Sequence, residues 1–487
     1  MSAGLQAARA ALAGQRAWLV GGAVRDRLLG SAGAGVDLDV VVQGDARAAA
    51  RAVARSAAGA PYFALSDQFK AWRVVARDRS WQVDVQALRG DSLAADLALR
   101  DFTVNAIAEP IGGGPPIDPL GGLADAEARR LRVAAPGAFA DDPLRVLRLA
   151  RLAVELDLRP EPATLELARR HVTGLDAVAG ERVFAELRRI LGSARPLPGL
   201  ELMSQLGATA VVLPEVHALR DVHQSRFHHT DVYRHTLEVL ERAVAVSGAL
   251  GGDPPGQAAP VWGQSLGALS SEERARAASL LAEPLADEMT RGEALRWGAL
   301  LHDIAKPQTR HEQPPGGRVT FLGHDSLGAE VAREVLERMR ASERLRAHIA
   351  ALVRHHLRLG FLVHEPQPLS PRTVYAYLRA CAPVQADVTL LSVADRLATR
   401  GERAQEAIEA HLRLAWSLLG EALRWHEHGP PPPLLRGDEL ARELGLAPGP
   451  ELGELLEALA QAQFAGEVHT RDEALAYARR WRHSASE

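Results

Sequence analysis

Cysteine is nearly missing from this chain. Cys381 is the only one in 487 residues, so no intramolecular disulfide can form, and a reducing, cytosolic setting is expected. Lysine is almost as scarce: all but Lys70 and Lys306 of the 57 basic residues are arginine. Compositional bias is the plain reading, yet the planar fork of arginine also suits phosphates and base edges. Aromatic residues make up 5%. No run approaches the ~18–20 apolar residues of a membrane span, and Met1 to Ala13 lacks the basic-then-apolar order of a signal peptide. A cytoplasmic protein without a membrane partner is therefore expected. Neither sign of charge dominates. The net charge of −4 argues against binding nucleic acid through overall charge, though not against a local basic groove. What is present is 47% apolar and 24% charged residues, a globular composition. At ~100–200 residues per domain the length suggests two to four domains.

Residues 1–135 alternate short apolar runs with helical stretches. Trp18–Val20, Asp37–Val42, Ala71–Ala76 and Trp81–Leu88 read as strands; Ala23–Leu29 and Ala46–Ala57 read as helices. The fold class expected is α+β, a small mixed sheet with helices followed by all-α domains. Residues 136–222 are helical throughout, and Arg129 to Arg195 holds 13 Arg against 9 acids. Residues 223–428 are helical and rich in histidine. Between Arg242 and Glu272 the only charged residue is Asp253, so residues 247–292 read as a surface insertion. Gly429 and Pro430–Pro433 form a stiff linker, and residues 434–487 a small helical tail.

Leu19-Val20-Gly21-Gly22-Ala23-Val24-Arg25-Asp26 is a strand end, two glycines and a helix start. Paired glycines let backbone approach a phosphate closely. Asp37-Leu38-Asp39 opens the next strand. Residues i and i+2 of a strand point to one face, and two carboxylates side by side repel unless cations lie between them. Mg²⁺ ions bridging to phosphate oxygens are the usual solution. Asp84, flanked by Val83 and Val85, is a third strand acid. Together these describe a nucleotidyl-transfer palm.

The run LVGGAVRDRLLG followed by DLD resembles the first motif of the class II tRNA nucleotidyltransferases and bacterial poly(A) polymerases. Four further stretches resemble later motifs in family order: Leu99–Ala106, Asp118–Asp125, Asp141–Arg151 and Glu181–Leu191. The resemblance implies that Gly21, Gly22, Arg25, Arg100, Asp101 and Asn105 hold ribose and triphosphate. It also implies that Asp142, Arg145, Arg148 and Arg151 belong to a nucleobase-selection helix. Asp142 and Arg145, at i and i+3, are expected on one helix face, where a carboxylate and a guanidinium could read the edge of C or A in place of a template. CTP, ATP and tRNA are the implied partners, and Mg²⁺ at Asp37 and Asp39 the implied metal. Leu99 replaces the usual arginine of its motif, and Asp141 the usual Glu. Only 15 residues separate Asp84 from Arg100. CCA-adding members of the family carry a longer loop there, and CC-adding members are short, so addition of CCA, of CC alone or of A stays open.

The middle third carries His228-His229, His235, His302-Asp303, His324, His355-His356 and Asp395. This spaced set resembles the HD phosphohydrolase superfamily. The resemblance implies a core metal site of His235, His302, Asp303 and Asp395, with His324 and one of His355 or His356 completing a second. Imidazoles with carboxylates suit Mn²⁺, Ni²⁺, Fe or Zn²⁺, and metal-activated water attacking a phosphate ester is the expected reaction. Whether two copies associate through this region is open. The segment from Leu435 to Gly453 resembles the tail of long bacterial CCA-adding enzymes, which implies contact with the tRNA backbone. Other readings are a poly(A) polymerase, a metal-dependent phosphodiesterase or phosphatase with a non-essential head, or a non-catalytic RNA-binding module. The tail is not strongly basic and both acidic constellations are complete, which sets these behind tRNA 3′-end addition.

Overall fold

The computed structural model describes residues 2–30, 37–66, 71–224, 230–252, 265–313, 317, 319–399 and 404–485, and it divides into two compact units, Met1–Leu213 and Pro214–Glu487. The expected His228-His229 pair and residues 253–264 lie outside the described residues.

The first unit begins with a six-stranded mixed sheet. Its strands are β1 (Ala17–Val20), β2 (Asp37–Val42), β3 (Tyr62–Ser66), β4 (Ala71–Val75), β5 (Gln82–Ala87) and β6 (Ala108–Pro110), in the order β3-β4-β5-β2-β1-β6. Only β2 and β5 run parallel. The period of two sorts each strand by face. Leu38, Val40, Val42, Val74, Val83 and Val85 pack under α1 (Ala3–Leu12) and α3 (Ala46–Ser56). Asp37, Asp39 and Asp84 therefore fall on the opposite face. There Val41, Trp18 and Val20 meet Leu97 of the short helix α4 (Leu93–Ala98). Ser2, Asp45 and Ser92 cap these three helices by accepting from first-turn N–H groups. Helix α2 (Gly22–Leu28) leaves β1 through Gly21. The edge strands β3 and β6 and helix α1 carry no strong local signal and were not expected.

Two helices of the following segment matter for the site, α5 (Arg145–Glu155) and α6 (Gly180–Gly192). Asp142 is not part of α5. It sits before Pro143 in extended backbone, φ −147° and ψ 96°, because proline disfavours the helical conformation in the residue before it. The expected placing of Asp142 and Arg145 at i and i+3 on one helix face therefore does not occur, since the helix begins at Arg145.

The second unit is helical. Helices α7 (Val232–Leu250), α8 (Arg291–Leu301) and α11 (Gln385–Ala398) pack together, joined by α9 (His324–Arg338), α10 (Glu343–His355) and α12 (Ala404–His428). Of the stretch read as an insertion, Ser271–Ala282 is a helix with buried Ala277, Leu280 and Leu281, and Pro284–Ala286 pairs with Met289–Thr290 as a hairpin. These residues belong to the packed body. The tail helices α13 (Gly437–Leu444), α14 (Pro450–Phe464) and α15 (Arg471–Ala485) share a core around Leu440, Leu455 and Leu459. No described helix is long and apolar enough to cross a membrane.

Candidate active site and metal centre

Strand register builds the head site. Asp39 lies directly opposite Asp84 across the parallel β2–β5 pair, and Asp84 opposite Arg73 on β4. Arg73 donates from Nε and Nη2 to both oxygens of Asp84, at 2.7 Å each. Burial lifts the Asp39 carboxyl above the usual carboxylate range; Arg100 opposes this, and the Asp84 and Asp37 charges add to it. A cation beside Asp37 and Asp39 would relieve that field, so the pair fits a hard, oxygen-seeking metal. Gly21 is required at the rim. Its φ is +72°, and a Cβ there would stand 2.9 Å from Asp39 Oδ2 and 3.3 Å from Arg100 Nη1.

A cavity of about 370 Å³ is lined by Gly21, Gly22, Arg25, Asp37, Asp39, Arg100, Asp101, Asn105, Arg148, Arg151 and Arg189, among others. Ten of the expected head residues meet there. Asp84, Asp142 and Arg145 are not in its wall. Asp84 is held by Arg73, Asp142 accepts from Arg182 at 2.9 Å, and Arg145 donates to the carbonyls of Leu99, Arg100 and Ala138.

A relay of charges fixes the wall. Arg25 donates to Asn105 Oδ1 at 2.7 Å, and Asn105 donates to Asp101 Oδ1 at 2.8 Å. Arg148 grips Asp101 Oδ2 at 2.6 and 2.9 Å and lies 3.5 Å from Glu186. Burial alone would raise Asp101, but the Arg148 charge and the hydrogen bonds from Asn105, Arg148 and the Phe102 N–H bring it down to about 2. Arg151 is buried and donates to Glu186 and Glu155, so it braces the relay. Arg100 is aimed by Asp96, a fully buried carboxylate that also accepts from the Arg89 N–H and Nε.

Arg73, Asp96, Arg182 and Glu186 escaped sequence reasoning. Asp96 had a signal, since it lies four residues before Arg100 on a helical stretch. Arg73 had none without the register.

The second unit converges on a tighter site. His235 Nε2 lies 3.0 Å from Asp395 Oδ1 and 3.7 Å from Asp303 Oδ2; His302 Nε2 lies 3.2 Å from Asp303 Oδ2. On the other side of Asp303, His324 Nε2 and His356 Nε2 are 3.3 and 3.9 Å from Oδ1. Two groups of ligand atoms thus share Asp303: His235–His302–Asp303 and Asp303–His324–His356. The tautomers are set by the backbone. The Nδ1 atoms of His302, His324 and His356 lie 2.9, 2.6 and 2.6 Å from the carbonyls of Ala299, Phe321 and Val353. Each therefore donates from Nδ1 and turns its Nε2 lone pair inward. Buried His302 Nε2 makes no hydrogen bond. Burial would lower His302, but Asp303 and Asp395 hold it above the usual imidazole range; a metal cation would answer the same field. The donor set fits an N/O-ligated metal.

Between the two adjacent histidines the structure chooses His356. His355 points away and accepts from Arg358 Nε at 3.0 Å, and burial with the Arg358 and Arg354 charges brings it down to about 4. Lys306, Gln224 and His411 were missed as site residues. Lys306 lies 2.6 Å from Asp303 Oδ2 and donates to Gln224 Oε1 at 2.6 Å.

Comparison with known proteins agrees region by region. Residues 17–132 match the poly(A) polymerase head domain, 157–220 the probable RNA- and SrmB-binding site of polymerase A, and 232–400 the HD domain. An A-adding tRNA nucleotidyltransferase of Deinococcus radiodurans is 35% identical over 476 residues, covering 95% of each chain. The chain belongs to the tRNA nucleotidyltransferase family. A CC-adding tRNA nucleotidyltransferase of Thermus thermophilus is 34% identical, covering 96% of this chain and 94% of the relative. The Thermotoga maritima CCA-adding enzyme complexed with tRNA shares the fold, with a TM-score of 0.60 and 20% identity, covering 98% of this chain and 94% of that one. As a family member the protein is a nucleotidyltransferase, and both domain families it joins are metal-dependent.

Proposed function

We propose that this chain adds C, A or both to the 3′ end of tRNA, taking CTP and ATP without a template. The observation that carries this reading is one cavity that gathers the Asp37–Asp39 pair, the Gly21–Gly22 turn and the cations Arg100 and Arg148. Asp37 and Asp39 would hold Mg²⁺, which when bound supplies Lewis-acid stabilisation of phosphate oxygens and a more acidic 3′-hydroxyl. The turn at Gly21 admits backbone close to a phosphate. Arg100 and Arg148 neutralise the triphosphate, each aimed by a buried acid, Asp96 and Asp101. Asp142 and Arg145 are assigned to base choice, for which Asp142 exchanges the exposed Arg182 for the base. Asp84, clamped by Arg73, tunes the charge beside Asp39. The helices of residues 437–485 contact tRNA by its backbone. The connection from β5 to α4 runs only from Leu88 to Ser92, which favours C addition.

The test is incubation with Mg²⁺ and labelled CTP, ATP or both, on tRNA ending at the discriminator base, at C or at CC. Labelling of one to three nucleotides is expected, whereas a long ladder would indicate a poly(A) polymerase. No incorporation on any of the three would sink the reading.

A second activity rests on the convergent imidazoles. We assign metal-dependent hydrolysis of a phosphate ester to the histidine site, with Mn²⁺, Ni²⁺, Fe or Zn²⁺ held by His235, His302, Asp303 and Asp395 and a second ion by Asp303, His324 and His356. Turnover of a 2′,3′-cyclic nucleotide or a phosphomonoester with added Mn²⁺ or Ni²⁺, lost in a His302→Ala/Asp303→Ala variant, is the expected result.

A further inference from the structure

Beside the histidine cluster lies a cavity of about 380 Å³, with the cluster on one side and Lys306, Arg396, His411 and His364 also in its wall. Metal binding gives Arg396 no role. It follows Asp395 on α11, and its Nε is buried without a hydrogen bond. Among the described residues no acid or carbonyl receives its guanidinium. Arg291, Arg338 and Arg372 of the same unit, by contrast, are paired with Asp387, Glu215 and Glu467. Arg396 is half-buried, and a buried N–H without an acceptor is costly, so its place in this wall suits an anion that visits.

The neighbours suit that anion. His411 reaches in from α12, its Nε2 3.1 Å from Ser392 Oγ. Burial and the nearby Arg396 charge bring His411 down to about 4, so at neutral pH it is an uncharged hydrogen-bonding group. Lys306 is a fixed cation, anchored by Asp303 and Gln224. Two separate cationic groups in one cavity wall match a dianion with three free oxygens better than a diester with one charge.

We propose that Arg396, with His411 and Lys306, forms an anion subsite that takes the terminal phosphate of a phosphate monoester. The proposal rests on the hydrolase reading of the cluster and adds the substrate group and the residue that holds it.

The test uses the full chain loaded with Mn²⁺ and labelled inorganic phosphate in equilibrium dialysis, with bound metal measured for every sample. Any phosphate held by the head site is common to all variants and cancels in the comparison. Arg396→Met is expected to weaken phosphate binding by at least about tenfold, and Arg396→Lys by about threefold, at unchanged metal content. If Arg396→Met fails to hold metal, Arg396→Lys alone decides. Phosphate affinity within about twofold of wild type in the variants that keep their metal overturns the proposal. Failure of the hydrolase reading looks different: phosphate binding stays dependent on Arg396 while the wild-type chain turns over no phosphomonoester. A phosphodiester that competes with phosphate as well as a monoester does would overturn the assignment to a terminal phosphate.

Discussion

The head site and the histidine site both gather carboxylates, but they settle the charge in different ways. In the head, strands place Asp37, Asp39 and Asp84 on one face, and arginines answer the carboxylates of the site: Arg73 on Asp84, Arg100 beside Asp39, Arg148 on the nearby Asp101. In the second unit, helix ends present imidazoles whose Nδ1 atoms are tied to carbonyls of the preceding turn. The first arrangement leaves an open, charged wall suited to a polyanionic substrate. The second leaves lone pairs converging on a point, suited to a resident ion. The lesson is that acid clusters in one chain can differ in what they await, and the counter-groups reveal which.

The broadest separation of the two comes from removing one ligand in each. Asp39→Ala is expected to cut nucleotide incorporation by at least about a thousandfold, with transition metal bound by the histidine site unchanged. His302→Ala should weaken that metal by more than about a hundredfold and leave incorporation near wild type. Labelled-CTP incorporation and metal analysis on the same preparations measure both. Loss of incorporation in His302→Ala would mean that the sites are not independent.

Acid should also distinguish the units. His411 sits at about 4 when folded, below an unfolded imidazole near 6.5. The unfolded chain therefore binds the proton more readily, and stability of about 3 kcal/mol, present above pH ~6.5, is lost as pH falls towards 4. Asp101, at about 2 when folded, contributes about 2 kcal/mol that is present above pH ~4 and lost only as pH falls towards 2. Urea unfolding read separately by fluorescence and by limited proteolysis should show the second unit weakening first on acidification. His411→Gln should reduce its slope between pH 6.5 and 4, leaving the share of His355, and Asp101→Asn the slope below 4.

Much of this was legible in local sequence. The Asp37–Asp39 pair could be read because strand alternation is a two-residue rule, and His302–Asp303 because the residues are adjacent. What needed distance was lost. Arg73 meets Asp84 only through the β4–β5 register, which no local pattern encodes. The apolar spacing of α5 extends a helix back to Asp142 only if Pro143 is ignored, and proline holds the residue before it in extended backbone. His355 and His356 lie about 100° apart on a helix, so one must turn away, and only the surrounding helices decide which. Lys306, three residues after Asp303, was visible but had no role until the two were seen 2.6 Å apart.

Asp96 sharpens the account of the head. If its purpose is to aim Arg100 at the substrate, Asp96→Asn, which keeps an acceptor and loses the charge, should raise KM for CTP by about tenfold with a smaller fall in kcat. Asp96→Glu should recover part of the loss. A purely structural role predicts lowered stability with KM unchanged, so steady-state kinetics alongside urea unfolding separates the two.

The smallest expected effect has the opposite sign. Arg182 and Asp142 form a half-exposed ion pair at 2.9 Å, worth at most ~1 kcal/mol. If the base and Arg182 compete for the same carboxylate, removing Arg182 favours the base. Arg182→Ala should then lower KM for CTP by up to about fivefold, leave kcat nearly unchanged, and lose this gain when combined with Asp142→Ala. A raised KM would mean that Arg182 holds Asp142 in its working position, and that in the head, as at Arg100 and Arg148, an opposite charge is there to aim a side chain and not to be displaced.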